Sequence, residues 1–202
     1  MDYSEWGVPM EKKKIDQRVR LTQSLLKNAL VQLMQEQHIS KISIRAICEV
    51  ADINRSTFYV HYSNQYDLLH KIEQEVLDNL NKHLSNQSLD ESHPISVQVL
   101  TKILDYAKDN VELFKALLSE NCDFTFQKNL MELAQVISDQ QNQAFDERTQ
   151  EYIKLFGFTG IISMLQKWLH DGTKESPAQM AEFIIQIYYY GINSLNKDSL
   201  KQ

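Results

Sequence analysis

The chain has 202 residues, of which 43% are hydrophobic and 24% are charged, and its net charge is −6. This composition is typical of a globular protein, and only five glycines and three prolines favour long helices over a turn-rich β fold. No apolar run reaches the roughly 18 residues that a membrane-spanning helix needs, so no membrane partner is predicted. Residues 1–10 also lack the basic start and apolar run of a signal peptide, so we expect a cytoplasmic protein.

The charge is unevenly distributed along the chain. Residues 11–72 contain ten Lys and Arg against six Asp and Glu, whereas residues 73–202 contain eleven against nineteen. A basic N-terminal third on an acidic remainder suits a polyanionic partner that is bound at one end only. The alternative is surface charge that happens to be scattered in this way.

The N-terminal residues 1–14 are predicted to form a flexible tail, because Gly7 and Pro9 interrupt any helix there. The tail ends in the basic run 12–14, which either contacts DNA phosphates or the minor groove, or is a solvated leader. Helix one is predicted from about Asp16 to Gln37. Its apolar stripe recurs at helical spacing and consists of Leu25, Leu26, Ala29, Leu30, Leu33 and Met34.

Two short helices are predicted to meet at a tight turn between residues 43 and 62. Ile47 and Ala51 share the apolar face of the first helix, and Phe58 continues that face in the second. Other residues expected in or beside this core are Ile44, Ile53 and Tyr62. Two short helices that cross at a tight turn, with a polar edge on the second, describe a helix-turn-helix whose second helix fits a DNA major groove.

Local signals mark the ends of these two helices. Ser43 is placed to cap the first helix and Asn54 to cap the second, because their side-chain oxygens can accept an orphan backbone N–H. Asp52 lies in the turn where a left-handed residue is usual in this motif. Asp is one of the few non-glycine residues that tolerate that conformation.

The run Thr57-Phe58-Tyr59-x-His61-Tyr62 is the most distinctive part of the chain. Together with the turn 51–54 it makes residues 22–69 resemble the DNA-binding domain of the TetR/AcrR family of bacterial transcriptional regulators. Two positions depart from the family pattern, since Asp52 replaces a turn glycine and Gln65 replaces a phosphate-binding lysine that opens helix four. Gln65 can still donate a hydrogen bond to a phosphate, and the neighbouring backbone N–H groups still offer a helix N-terminus.

The candidates for DNA contact divide by chemistry. Arg45 and Arg55 can reach base edges, where arginine favours guanine O6 and N7, and Val60 offers a methyl surface to thymine. The remaining candidates are expected to contact phosphates and set the register, or to contact either group: Ser43, Ser56, Thr57, Tyr59, His61 and Gln65.

Helix four is predicted over residues 65–85 and leads from this head into the rest of the chain. After a linker at 86–94, five more helices are predicted at about 95–108, 110–120, 124–145, 148–171 and 177–194. The predicted fold is therefore all-α with about nine helices. It has a three-helix helix-turn-helix DNA-binding head over 15–64 and a helical-bundle domain for ligand binding and dimerisation over 65–202.

Two glycines, Gly157 and Gly160, lie three residues apart in a predicted helix and cost roughly 1 kcal/mol each relative to alanine, which indicates close helix approach. The pattern from Phe156 to Pro177 resembles TetR-family members related to the dihydroxyacetone-kinase regulator. In that family the last two helices of each subunit form the dimer interface, so the resemblance implies a homodimer; packing within one chain is the alternative. The implied interface residues are Gly157, Gly160, Ile161, Phe183, Ile187 and Tyr190.

The same resemblance implies a cavity for a small organic effector between helices four and eight. Aromatic side chains suit such a cavity, and ordinary core is the alternative for each of them. The candidates are Tyr106, Phe114, Phe126, Tyr152, Phe156 and Trp168.

The predicted function is a sequence-specific DNA-binding regulator, a repressor controlled by the effector, that reads a palindromic operator as a homodimer. No catalytic constellation, metal site or cofactor motif occurs in the sequence, so an enzyme is not predicted. The alternative is a helical ligand-binding or protein-interaction module that retains the head but does not read DNA sequence.

Overall fold

The computed structural model describes residues 10–85, 97–122, 125–138 and 147–190. Within these ranges it contains nine α-helices, a three-residue 3-10 helix at Ile39–Lys41 and no strand, which confirms the all-α fold class. The α-helices are α1 Met10–Met34, α2 Ile44–Ala51, α3 Arg55–His61, α4 Gln65–Ser85, α5 Val97–Asp109, α6 Val111–Leu118, α7 Thr125–Ser138, α8 Glu147–His170 and α9 Pro177–Tyr190. None of the helices in these ranges is long and apolar enough to cross a membrane.

Helix α1 begins at Met10, earlier than the predicted start at Asp16. Residues 10–16 are mostly good helix formers, and they follow the last helix breaker, Pro9. The basic run 12–14 therefore belongs to α1 and not to a tail; the rest of the predicted tail, residues 1–9, lies outside the described residues.

The chain divides into two compact units, with Gln74 the last residue of the first and Glu75 the first residue of the second. The division lies inside α4, whereas the sequence suggested a boundary at the start of that helix. The two units are called the head and the body below.

In the head, α1 packs against α2 and α2 packs against α3. The core contains fully buried side chains from all three helices, among them Leu30, Ile47 and Phe58. Four apolar residues of the predicted core are less buried than expected: Leu33, Ile44 and Ile53 are half-buried, and Leu25 is 40% exposed. Leu25 precedes the fully buried Leu26, and successive side chains point in different directions around a helix, so the two cannot share one buried face.

In the body, α5 packs extensively against α9, and α8 contacts both α6 and α7. The link between α8 and α9 is closely specified. Gly172 ends α8 with φ +85°, a conformation that favours glycine. The indole Nε1 of Trp168 donates to the carbonyl of Glu175 at 3.1 Å, and the backbone N–H of Gln179 donates to the Ser176 hydroxyl at 3.3 Å. These contacts fix the start of α9 at Pro177.

Candidate nucleic-acid interface

The turn between α2 and α3 has the backbone that the sequence predicts. Asp52 follows α2 with φ 53° and ψ 45°, which is the left-handed conformation. The backbone N–H of Ile53 donates to the carbonyl of Cys48 at 3.0 Å, so an orphan carbonyl at the end of α2 is satisfied. This turn holds α3 at a fixed angle to α2.

Both predicted helix caps are confirmed. The Ser43 hydroxyl accepts the backbone N–H of Ala46 at 3.1 Å, and the side-chain oxygen of Asn54 accepts the backbone N–H of Ser56 at 2.9 Å. The hydroxyl of Ser56 also donates to Asn54, at 2.9 Å. Ser43 consequently keeps its own O–H free to donate to a phosphate, whereas Ser56 can offer a partner only its oxygen lone pairs.

Helix α3 is anchored from one side. The ring of Phe58 is fully buried, and it lies edge-on to Tyr59 with ring centroids 5.7 Å apart. On the opposite side Tyr59 and Val60 are 58% and 75% exposed, although a tyrosine and a valine normally gain from burial. The remaining candidates on this helix are Arg55 and Ser56, which are exposed, and Thr57 and His61, which are half-buried.

Arg45 lies in the first turn of α2 and is exposed, as a base-reading residue requires. Its Nε forms an ion pair with Oε1 of Glu49, one turn along the same helix. The hydrogen bond to this carboxylate, followed by its charge, raises the pKa of Arg45 above the usual arginine value. Sequence reasoning missed Glu49, although the four-residue spacing between an arginine and a glutamate would have indicated the pair.

A groove of about 730 Å³ opens between α2 and α3. Two arginines, Arg45 and Arg55, and two acids, Glu49 and Asp52, contribute to its walls. Cys48 also lines it, and burial raises the pKa of this thiol, so the sulfur stays protonated and unreactive at neutral pH. The chemistry of the groove is therefore that of its charged side chains.

The start of α4 differs from what the sequence led us to expect. The side-chain oxygen of Asn64 accepts the backbone N–H groups of Tyr66 and Asp67, at 2.9 and 3.0 Å. The Asp67 carboxylate accepts the N–H of Ser63 at 2.9 Å and adds a negative charge. The expectation of open backbone donors at this helix end is thus wrong for Tyr66 and Asp67, because Asn64 already caps them. Gln65 is half-buried at the first position of the helix.

The six residues predicted to line an effector cavity are not in one environment. Phe114, Phe126 and Trp168 are buried, and the ring of the half-buried Tyr106 meets Phe114 edge-on at 5.6 Å. Tyr152, by contrast, is 60% exposed, and Phe156, one turn further along α8, is 80% exposed. The structure thus separates Tyr152 and Phe156 from the other four, because they face outwards from α8.

The sequence analysis did not predict one polar contact within the body. The side-chain amides of Gln127 in α7 and Gln166 in α8 both donate to the carbonyl of Leu118 at the end of α6. The carbonyl oxygen of Leu118 thus links α6 to both α7 and α8. Neither residue has a sequence neighbour that would have indicated this role, because the contact depends on how the helices pack.

The two glycines of α8 have different surroundings. A Cβ built on Gly157 would collide with the ring of Tyr188, which lies on α9 of the same chain. A Cβ on Gly160 would meet nothing within 4 Å. Packing within one chain therefore accounts for Gly157, whereas it does not account for Gly160.

The other predicted interface residues lie on α8 and α9. Phe183 is exposed, Ile161 and Ile187 are half-buried, and the side chain of Tyr190 lies outside the described residues. Gly160 shares an exposed face of α8 with residues three and four apart. The members of this face, called the α8 face below, are Tyr152, Leu155, Phe156, Thr159, Gly160 and Ser163.

No group of three or more His, Cys, Asp or Glu side chains in the described part of the chain could hold a metal ion.

Known proteins with similar sequences are transcriptional regulators, in agreement with the helix-turn-helix of α2 and α3. Residues 96–190 match the family model TetR_C_8, described as a transcriptional regulator C-terminal region. A stretch of 79 residues is 36% identical to the HTH-type transcriptional regulator YxbF of Bacillus subtilis (strain 168). That stretch is 37% of this chain and spans only 21% of the relative.

Solved structures share the fold over most of the chain. A TetR transcriptional regulator from Streptococcus agalactiae 2603V superposes with a TM-score of 0.60 at 20% identity, covering 88% of this chain and 98% of the other. The dihydroxyacetone kinase operon activator DhaS gives 0.53 at 20% identity, covering 85% and 96%. FadR of Bacillus subtilis, solved in complex with stearoyl-CoA, gives 0.61 at 13% identity, covering 84% and 98%.

At these identities the solved structures establish the fold alone. The matching C-terminal region, the helix-turn-helix geometry of α2 and α3 and the regulator from Bacillus subtilis support the same assignment. Together these findings support a TetR-family transcriptional regulator.

Proposed function

We propose that this protein is a homodimeric repressor that reads a palindromic operator through α3 and releases it when a small organic effector binds the body. A regulator of this kind works in the cytoplasm, where the chromosomal DNA lies. The observation that carries the proposal is the solvent-facing side of α3, which exposes Arg55, Tyr59 and Val60 on a helix anchored by buried Phe58.

Direct reading of bases follows from the chemistry of this side. Arg55 can donate two hydrogen bonds to guanine, and the methyl groups of Val60 can contact a thymine methyl. Thr57, Tyr59 and His61 carry polar groups that suit phosphate oxygens and would fix the register of the helix in the groove. Ser43, Arg45, Ser56 and Gln65 complete the proposed contact set.

The α8 face supports the dimer. It exposes the large apolar side chains Leu155 and Phe156, and α9 adds the exposed Phe183. Apolar area of this kind gains free energy when a second apolar surface covers it. A two-fold dimer would present two copies of α3 to half-sites roughly 34–36 Å apart on one side of the duplex.

The buried aromatic residues of the body support the effector. Phe114, Phe126 and Trp168 give an interior that suits an apolar small molecule. FadR, which has the same fold, holds stearoyl-CoA in its structure, so the fold can accommodate a ligand with a long apolar chain. Effector binding that changes the separation of the two α3 helices would be worth about 1–3 kcal/mol of coupling.

A gel shift with the DNA upstream of the protein's own gene tests the proposal. We expect a palindrome to be protected, and Arg55→Ala to weaken its binding by about tenfold or more, since a bidentate contact to guanine is lost. Tyr59→Ala should weaken binding as well. Lys167→Ala, which removes an exposed positive charge from the body, is the control and should bind like the wild type. Equal affinity of the wild type for random DNA of the same length would sink the proposal.

A further inference from the structure

The ion pair between Arg45 and Glu49 carries a consequence for how this head would select its DNA. Both side chains are well exposed, at 70% and 62% of their free area. Exposed pairs one turn apart contribute little to helix stability. A carboxylate beside a surface that meets a polyanion also opposes binding, because it repels the phosphates. Neither stability nor affinity therefore accounts for Glu49.

The geometry of the pair supplies a different account. Glu49 engages Nε of Arg45 and leaves the two terminal Nη groups unengaged by that carboxylate. The guanidinium is planar and rigid, so a bond at Nε also sets the plane and direction of the Nη groups. These terminal groups are the ones that can donate in parallel to guanine O6 and N7.

We propose that Glu49 is a positioning residue that holds the Arg45 guanidinium in the orientation that reads guanine, so that it raises base selectivity at the expense of general affinity for DNA. The inference rests on the proposed DNA-binding function. It concerns a residue that does not itself need to contact the bases.

Two physical effects of Glu49 should be separable. Holding an arginine before binding reduces the rotamer freedom that is lost on binding, and it does so only for the base that accepts both Nη groups. The negative charge acts on every sequence alike, because all duplexes carry the same phosphates. Removal of Glu49 should consequently lower selectivity and raise affinity for random DNA at the same time.

Asp52 offers a matched control. It lines the same groove, is exposed and carries the same charge, but it lies beyond the end of α2 in the turn. Asp52→Asn removes that charge while keeping a residue type that tolerates the left-handed backbone. It should raise affinity for random DNA as Glu49→Ala does and leave the base preference unchanged.

The experiment selects duplexes from a pool with a randomised core, using the full-length wild type, Arg45→Ala, Glu49→Ala, Glu49→Gln, the double variant Arg45→Ala/Glu49→Ala and Asp52→Asn. The base pair at which Arg45→Ala loses its guanine preference identifies the contact. At that base pair we expect Glu49→Ala to lower the preference for guanine over adenine by about two- to tenfold, the range that pre-ordering one long side chain gives. Glu49→Gln, whose amide oxygen can still accept from Nε, should restore part of it. The thermal midpoint of each variant checks that the head is folded.

The outcomes separate the two proposals. A lower guanine preference in Glu49→Ala, together with a double variant whose base preferences equal those of Arg45→Ala, supports the positioning role. An enriched wild-type site with unchanged preference in Glu49→Ala overturns that role and leaves the proposed function standing. Additive losses at two different base pairs also overturn it, because Glu49 would then read a base directly. No enrichment by the wild type refutes the proposed function and the positioning role together.

Discussion

Helices α3 and α8 both leave large side chains in solvent, but the exposed atoms differ. Helix α3 exposes Arg55 and Ser56 beside Tyr59, so most of its outer face can donate or accept hydrogen bonds. Helix α8 exposes the large apolar side chains of Leu155 and Phe156, which can do neither, beside the hydroxyl groups of Tyr152, Thr159 and Ser163. A polar face can exchange water for phosphates and base edges, whereas an apolar face gains only when carbon covers it. The two faces are similarly exposed, so the chemistry of their exposed atoms is what distinguishes the kind of partner that each one suits.

The largest effect should come from the anchored side of α3. Phe58→Ala removes a fully buried ring, so we expect the free energy of unfolding of the head to fall by about 3–5 kcal/mol. Val60→Ala, on the exposed side of the same helix, should change it by no more than about 0.5 kcal/mol. Urea unfolding followed by circular dichroism measures both. Similar losses in the two variants would contradict the description of α3 as a helix with one buried and one free side.

The next effect tests the α8 face. Phe156→Glu places a charge where the proposed dimer buries a ring, so self-association should weaken by about 2 kcal/mol or more. Light scattering over a range of protein concentrations measures it. Val60→Glu is the matched control, because Val60 is about as exposed as Phe156 and lies on the proposed DNA side. It should abolish operator binding and leave the oligomeric state unchanged. A wild type that is monomeric throughout would contradict the proposed dimer.

Alanine substitutions at the two glycines of α8 should have different effects on stability, because one glycine faces a side chain and the other faces solvent. Gly157→Ala forces a methyl group against the Tyr188 ring, which costs about 1–3 kcal/mol. This cost is at least as large as the gain in helix propensity, so the free energy of unfolding should fall or stay unchanged. Gly160→Ala meets open space, so the propensity gain of about 1 kcal/mol remains and the chain is stabilised.

Both glycine variants are best measured by urea unfolding in the Phe156→Glu background, where self-association does not contribute. With the native Phe156 present, Gly160→Ala should also weaken the proposed dimer, because a partner helix that approaches Gly160 would meet the added methyl group. A stabilised Gly157→Ala would show that the Tyr188 ring moves aside freely.

The smallest effect concerns pH. Burial raises the pKa of Tyr188 above its usual value, with Lys154 opposing the shift. In the unfolded chain this tyrosine ionises first, so the stability it contributes is complete below about pH 10 and is lost as the pH rises through the higher pKa of the folded state. Thermal unfolding of the wild type and Tyr188→Phe between neutral and alkaline pH measures the difference. The wild type should lose more stability than the variant; parallel curves would contradict the partial burial of the Tyr188 hydroxyl.

Much of the head could be predicted from its sequence because its signals are local. Ser43 and Asn54 cap the helices that follow them, and Asp52 adopts the left-handed backbone, as their residue types indicate. The apolar spacing also identified Ile47 and Phe58 as core. Each of these features depends on residues within one or two turns, which a sequence records directly.

The proposed sites of the body could be predicted less well because they depend on packing between helices. The family resemblance and aromatic character placed Tyr152 and Phe156 with Phe114 in one cavity, yet two of these three are exposed. Periodicity states which residues share a face of a helix, and it does not state whether a neighbour covers that face. Likewise the Gly157 and Gly160 pair is one motif in the sequence and two different environments in the structure.

The sequence by itself determined the helical fold, the helix-turn-helix and the family, because helix spacing, capping and turn chemistry are properties of short segments. Only the tertiary structure decided that Gln127 and Gln166 meet at the carbonyl of Leu118, and that Gly160 faces open space while Gly157 faces Tyr188. The physical reason is that a side chain's partner depends on its rotamer and on which surfaces the packed helices leave uncovered, and both are set by contacts that the order of residues does not record.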